Sequence, residues 1–189
     1  MTRKLSEYEQ ARLLTIARQS LDKAVRGERL PEIKLDELPP ALQEPGASFV
    51  TLTIDGRLRG CIGTLDAHQP LAVDVQEHAV AAALQDFRFP RVKPEELSHI
   101  HIEVSALTPR APLYYDNPQE LAAKLRPNVD GVILQDGGRK ATFLPQVWEK
   151  LPDPEDFLSH LCLKMGGPAD LWCYQPIKVY IYQVQEFQE

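Results

Sequence analysis

The stretch that decides the fold is residues 49–64, with the sequence FVTLTIDGRLRGCIGT. Its first half alternates and is rich in β-branched residues up to Ile54, a pattern typical of a strand. Asp55-Gly56 follows at once and is a dipeptide that two-residue type I′ turns favour. The stretch therefore predicts a β-hairpin.

The register of this hairpin decides which side chains share a face. A two-residue turn after residue 54 pairs residue 52 with 59 and residue 50 with 61. Arg59 and Cys61 are then expected on the same face as Val50 and Leu52. Both faces carry apolar residues in this register, so the sheet is expected to be covered on both sides.

Helical and strand patterns alternate on either side of the hairpin. Three-to-four spacing and capping residues predict helices at 6–26, from about 70 to 85, at 117–126 and at 153–164. Two-residue alternation predicts strands at 99–108, 131–135, 140–144 and 177–187. Because the strands occur as hairpins or singly between helices, the pattern predicts an α+β fold with a mainly antiparallel sheet flanked by helices. A parallel doubly wound sheet is the alternative.

Composition bounds the class of protein. The chain has 189 residues, of which 43% are hydrophobic and 25% charged, as in one soluble globular domain spanning residues 1–189. No run approaches the roughly 20 apolar residues of a membrane helix, and the polar first nine residues predict a cytoplasmic protein. The net charge of -6 disfavours binding to nucleic acid.

Residues 28–46 form a proline-rich connection. Four prolines in this stretch are expected to prevent regular structure. Apolar anchors occur at Ile33, Leu35, Leu38 and Leu42. The connection is therefore predicted to be extended but docked on the protein.

Several common kinds of site are not indicated. Phosphate-loop, dinucleotide and nucleophile-elbow motifs do not occur, and no cofactor is predicted. His99, His101 and Glu103 share one face of a predicted strand. Strand alternation alone accounts for these polar residues, so the solvated-strand interpretation is favoured over a metal site. His78, within an apolar helical stripe, is interpreted as a satisfied core residue.

Cys61 is the candidate catalytic or ligand-binding residue. Gly60 and Gly63 beside it indicate close backbone approach. An arginine such as Arg59 next to the sulfur would favour the thiolate and provide a nucleophile or an anion-binding spot. The alternative is a small buried hydrophobic residue in a tight hairpin.

Three chain segments are predicted to converge on Cys61. Asp86 and Arg88 follow a helix end, although a simple surface ion pair is the commoner role of such residues. Glu103 and Ser105 share a strand face. We expect these four side chains and Arg59 to line one polar pocket with the thiol.

Several segments resemble one known family. They are Leu58-Arg59-Gly60-Cys61-Ile62-Gly63, Asp86-x-Arg88-Phe89, Glu103-x-Ser105-x-Leu107-Thr108, Phe143-Leu144-Pro145-Gln146-Val147-Trp148 and Phe157-Leu158-x-x-Leu161-Cys162-x-Lys164. This set resembles the family named for the Alport syndrome, midface hypoplasia and elliptocytosis chromosomal region, called AmmeMemoRadiSam system protein A in microbes. Met165 departs from the alanine usual in that family, a change that affects packing only.

The resemblance implies a larger and a smaller lobe, with the cysteine motif near a cleft between them. It implies no established reaction. It implies association with a Memo-type protein and a radical-SAM protein in a modification pathway. Three functions stay open: binding of a small or peptidic ligand, cysteine-dependent catalysis on an anionic substrate, and a nucleic-acid-associated regulatory adaptor.

Overall fold

The computed structural model describes residues 4–189 and divides them into two compact units. Unit 1 comprises residues 4–109 together with 185–189, and unit 2 comprises residues 110–184. Each unit has its own sheet, with antiparallel pairing and flanking helices. The predicted α+β class is confirmed. No helix of residues 4–189 is both long and apolar enough to cross a membrane.

The elements follow in chain order. They are α1 (Glu7–Val25), α2 (Pro40–Gln43), β1 (Pro45–Ile54), β2 (Arg57–Gly63), β3 (Gln69–Pro70), α3 (Leu71–Leu84), β4 (Ile100–Leu107), β5 (Ala111–Leu113), α4 (Pro118–Lys124), β6 (Gly131–Asp136), β7 (Arg139–Phe143), α5 (Pro154–Met165), α6 (Leu171–Tyr174), β8 (Lys178–Tyr182) and β9 (Val184–Gln188). Turns of 3-10 helix occur at Leu35–Glu37, Pro94–His99 and Pro145–Glu149.

Unit 1 packs α1 and α3 on one face of its sheet. The strand order is β2-β1-β4-β9, and β3 pairs with the start of β1. The core joins Leu13 and Leu21 of α1, Val75 of α3, Leu52 of β1 and Ile102 of β4. The capping box that Ser6 and Glu9 predict is present at the start of α1, so local capping and the apolar stripe agree on where this helix lies.

Unit 2 is built on the strand order β5-β8-β6-β7. Trp148 stacks on Phe157 of α5 with ring centroids 3.7 Å apart, and its indole N–H donates to the backbone oxygen of Asp130. Both rings are fully buried. The unit therefore has a separate aromatic core.

The predicted register of the first hairpin is wrong by one residue beyond the turn. Ile54 pairs with Arg57 as expected, but Leu52 pairs with Gly60 and Thr51 with Cys61. The shift arises because Arg59 is an extra residue in β2, which makes a β-bulge. Cys61 consequently lies on the face opposite to Val50 and Leu52.

The predicted last strand is two strands in different sheets. Residues 178–182 form β8 in the sheet of unit 2, and residues 184–188 form β9 in the sheet of unit 1. Alternation of side chains continues through both strands, so periodicity alone does not reveal the break.

The proline-rich connection is docked but not irregular throughout. Leu38 and Leu42 are buried in the core of unit 1, and Ile33 and Leu35 pack against it, which confirms the docking prediction. The expectation that prolines exclude regular structure here is wrong, because Pro40 begins the short helix α2. Proline is tolerated at a first helical position, where the backbone N–H needs no partner.

Candidate functional site

Three polar side chains form a row across the sheet of unit 1, on the face opposite to α1 and α3. Thr51 of β1 pairs with Cys61 of β2 on one side and with Glu103 of β4 on the other. Val50 and Leu52, which flank Thr51, point into the core. The row is partly exposed, so its side chains are available to a ligand.

The backbone of Cys61 is held from outside the sheet. Its N–H donates to Asp86 Oδ2 at 2.9 Å, and its carbonyl accepts from Arg88 Nη2 at 3.1 Å. Since β2 is an outer strand, these two groups have no strand to pair with. Asp86 and Arg88 supply the missing partners and fix the position of the cysteine.

The thiol itself has a hydroxyl neighbour. Thr51 Oγ1 donates to Cys61 Sγ at 3.3 Å. A hydroxyl donor stabilises negative charge on sulfur but does not act as a base. The row thus presents a thiol to which no histidine, aspartate or glutamate side chain of residues 4–189 makes a hydrogen bond.

Asp86 and Arg88 form a tight ion pair. Arg88 Nε donates to Asp86 Oδ1 at 2.9 Å and Nη2 donates to Oδ2 at 2.6 Å. The Arg88 hydrogen bonds hold the pKa of Asp86 well below its usual range, aided by the N–H of Cys61. The pKa of Arg88 is raised, chiefly by its hydrogen bond to Asp86 and in smaller part by Cys61.

Arg88 keeps donor capacity for a ligand. The Asp86 side chain is 2% exposed, whereas that of Arg88 is 46% exposed. Arg88 Nη1 makes no hydrogen bond to residues 4–189. The pair is therefore more than a surface ion pair, because its exposed end offers an unused N–H group next to Cys61.

Arg59 does not lie beside the sulfur. Its guanidinium donates to both carboxylate oxygens of Glu96, at 2.7 and 3.1 Å, and to the carbonyl of Pro90 at 2.9 Å. The bond from Arg59 also lowers the pKa of Glu96. Arg59 ties β2 to the segment that leads into β4, and Arg88 is the arginine that contacts Cys61.

The two glycines of the motif permit close approach, as their spacing predicts. A Cβ on Gly60 would lie 2.2 Å from the backbone oxygen of Ala82 in α3, and one on Gly63 would lie 2.4 Å from the backbone oxygen of Ser48. Both distances are far below contact. The glycines let β2 approach its neighbours and hold Cys61 indirectly.

The remaining predicted residues lie near the thiol but do not contact it. Glu103 is two strands away, about 10 Å by strand spacing, and its carboxylate makes no hydrogen bond or ion pair to residues 4–189. Ser105 is buried one row further along, opposite Phe49. Sequence reasoning missed Thr51, which only the bulged register places next to Cys61.

His78 lies on the opposite side of the sheet from Cys61. It is buried in α3, with Nδ1 3.1 Å from Asp74 Oδ2 and 3.5 Å from Ser48 Oγ. Ser48 also donates to Asp74 at 2.6 Å. His78 is a satisfied core residue, as the helical stripe predicts, and it is not a base for Cys61.

The histidines of β4 do not build a recognisable metal site. His101 shares the face of Glu103, whereas His99 ends the preceding 3-10 turn. Within residues 4–189 no three histidine, cysteine, aspartate or glutamate side chains are grouped for a metal ion. The alternation of β4 accounts for His101 and Glu103.

The comparisons with known proteins agree with one another. The AMMECR1 family matches residues 14–187. A protein of Methanothermobacter thermautotrophicus is 41% identical over 189 residues, which covers 98% of this chain and 96% of the relative. Protein MK0488 of Methanopyrus kandleri is 41% identical over 166 residues, covering 82% of this chain and 78% of its own.

A solved structure extends the likeness to the fold. The crystal structure of the uncharacterized protein PH0010 from Pyrococcus horikoshii superposes with a TM-score of 0.86 at 33% identity. The match covers 99% of this chain and 94% of that one. This chain belongs to the AMMECR1 family.

Proposed function

We propose that the row of Cys61, Thr51 and Glu103, with Arg88 at its edge, is a binding site for a small or peptidic ligand that carries an anionic group. The observation that carries the proposal is the fixed backbone of Cys61 beneath a partly exposed thiol. Rigid placement of a polar side chain on a strand is how a recognition site is preorganised.

The charges of the site support an anionic ligand. The unused Nη1 of Arg88 suits a carboxylate or phosphate oxygen, because guanidinium groups bind such oxygens in plane. Glu103, which has no partner within residues 4–189, is available for a donor on the same ligand. Opposite charges at the two ends of the row would orient the ligand across β1.

Cysteine-dependent catalysis on an anionic substrate is the second candidate, favoured by Thr51 and Arg88 beside Cys61. Mass spectrometry of the native protein treated with iodoacetamide tests it. We expect Cys61 to be labelled faster than Cys162, because burial raises the pKa of that thiol. We expect it also to be labelled faster than Cys173, whose pKa is raised by partial desolvation and by the nearby carboxylates of Asp170 and Glu155. Labelling of Cys61 last would contradict a functional thiol.

The cellular role is proposed on family grounds. We propose that the protein is an accessory factor in a modification pathway with a Memo-type and a radical-SAM protein. Copurification of the tagged chain with either protein, lost in an Arg88→Ala variant, supports this role. The role of a nucleic-acid adaptor would be supported only if the chain slows the migration of a nucleic acid in an electrophoretic shift assay at physiological salt.

The decisive experiment is equilibrium dialysis of the full chain against a cell metabolite extract, followed by mass spectrometry. The wild type and a Lys150→Met control, at an exposed position in unit 2, should retain the same compound, and Cys61→Ala and Arg88→Met should lose it. A retained compound that is recovered chemically altered indicates the enzyme. If Cys61→Ala and Arg88→Met both retain every compound, the row is not the binding site.

A further inference from the structure

We propose that unit 2 carries a second, separate binding site, which takes a small aromatic zwitterion of the class of free aromatic amino acids. The site is a cavity of about 540 Å³, lined only by residues between Pro112 and Tyr180. That volume is within the range of small-molecule pockets. The cavity does not include any residue of the Cys61 row.

The walls of the cavity are aromatic. Its lining includes five aromatic residues, Tyr114, Tyr115, Trp172, Tyr174 and Tyr180, together with three prolines. Tyr114 and Tyr174 are 78% and 62% exposed, and their hydroxyls make no hydrogen bond to residues 4–189. The rest of the fold leaves these two rings exposed, whereas a flat ring packed against them would bury apolar surface.

The cavity is preformed. Tyr115 Oη donates to the carbonyl of Ile177 and accepts from its N–H, both at 2.9 Å. These two hydrogen bonds to one residue tie the segment after β5 to the segment before β8, and both segments contribute to the lining. A ligand would meet fixed walls, so little ordering opposes its binding.

The charges of the lining define the polar part of the ligand. Asp116 and Lys178 are its two charged residues. Both side chains are exposed, and neither makes a hydrogen bond or ion pair to another residue of 4–189. A monoanion would meet Asp116 and a monocation would meet Lys178, so a molecule with both an ammonium and a carboxylate group matches the pair best.

Cys173 provides a readout inside the cavity. It is exposed and belongs to the lining. L-phenylalanine bound against Tyr174 should therefore shield this thiol. We expect saturating L-phenylalanine to slow iodoacetamide labelling of Cys173 at least fivefold, while labelling of Cys61 on unit 1 is unchanged.

Calorimetric measurement of L-phenylalanine binding tests the roles of the two charged side chains, Lys178 and Asp116. Lys178→Met and Asp116→Asn should each weaken binding about tenfold, because each removes one charge-assisted contact. Lys150→Met and Glu149→Gln are the matched controls, since both residues are exposed in unit 2 outside the cavity. All four substitutions are on the surface and should leave unit 2 folded.

Three experimental results would overturn the proposal. It is overturned if L-phenylalanine neither binds nor protects Cys173, or if both charge variants bind it as tightly as their controls. It is also overturned if a proline-rich peptide binds the cavity and L-phenylalanine does not, which would assign the aromatic walls to a protein partner. Loss of this binding would leave the proposed Cys61 site unaffected, and the converse also holds.

Discussion

Cys61 is held mainly through its backbone, while its sulfur meets the Thr51 hydroxyl and the Arg88 side chain. Asp86 and Arg88 bond its N–H and carbonyl, and Gly60 allows the strand to lie against α3. The side chain is thereby left free to meet Thr51 and a ligand. The surrounding motif is best understood as a support for one thiol position.

Gly60→Ala is expected to destabilise the protein by about 2 kcal/mol or more. The added methyl group would lie 2.2 Å from the backbone oxygen of Ala82, and a backbone oxygen of a packed helix cannot move cheaply. Gly138→Ala is the control, because a Cβ there meets nothing within 4 Å. Urea unfolding of both variants measures the difference. Equal stability of the two would contradict the close approach.

Asp86 is expected to make stability depend on acid pH. Its folded pKa is lowered below its ordinary value of 3.8, chiefly by the hydrogen bond from Arg88. Its contribution to stability is therefore present above that value and is lost as the pH falls through the folded pKa. Asp86→Asn should cost about 2 kcal/mol at neutral pH, and the gap from wild type should narrow progressively below about pH 4.

Urea unfolding at neutral pH and at several acid pH values checks this expectation. Asp170→Asn serves as the control, since Asp170 is exposed, and it should give a small difference that does not change with pH. A gap for Asp86→Asn that stays constant down to the lowest pH would show that the ion pair does not stabilise the fold.

At the scale of elements, the bulge at Arg59 and the docked connection shape unit 1. The bulge turns Cys61 away from the core. The connection covers α1 and α3 with Leu38 and Leu42. Both features are local, and the bulge determines which face of the sheet carries the thiol.

Leu42→Ala is expected to destabilise the protein by about 3 kcal/mol, because Leu42 is fully buried and its loss leaves a cavity. It should also speed tryptic cleavage after Lys34 within the connection. Leu30→Ala, at a position 39% exposed, should change neither property. Rapid cleavage after Lys34 in the wild type, with the rest of the chain intact, would show an undocked connection.

At the scale of the molecule, unit 1 is completed by the end of the chain. β9 adds the outer strand next to β4, and Phe187 enters the core of unit 1. Arg18 of α1 forms an ion pair with Glu189. Unit 1 is thus built from two separate stretches of the sequence, whereas unit 2 is one continuous stretch.

Phe187→Ala is expected to destabilise unit 1 by about 3–5 kcal/mol, with the loss seen as faster hydrogen exchange of the β4 amides. Gln188→Ala, at an exposed neighbouring position, should leave exchange unchanged. Both tryptophans, Trp148 and Trp172, belong to unit 2, so their fluorescence reports separately on that unit. Unchanged exchange in β4 would contradict the assignment of Phe187 to the core.

Most elements, and the candidate cysteine, follow from the sequence alone. Capping residues, turn dipeptides and periodicity are local signals, so they predicted α1, α3, β4 and the second hairpin near their observed bounds. Gly60 and Gly63 likewise predicted the close approach around Cys61, because the absence of a side chain can be read directly from the sequence.

The tertiary structure decided which residues meet. A one-residue bulge reverses every later side chain of a strand, and the bulge in β2 placed Cys61 beside Thr51. The packing of α3 on β1 placed His78 beside Ser48. Arg88 contacts Cys61, and Arg59 pairs with Glu96, because the loop after α3 folds over the outer edge of β2. Such pairings depend on contacts between residues far apart in the chain, and local sequence patterns carry no information about those contacts. The helices and strands themselves depend on neighbours within a few residues, which is why the sequence predicts them.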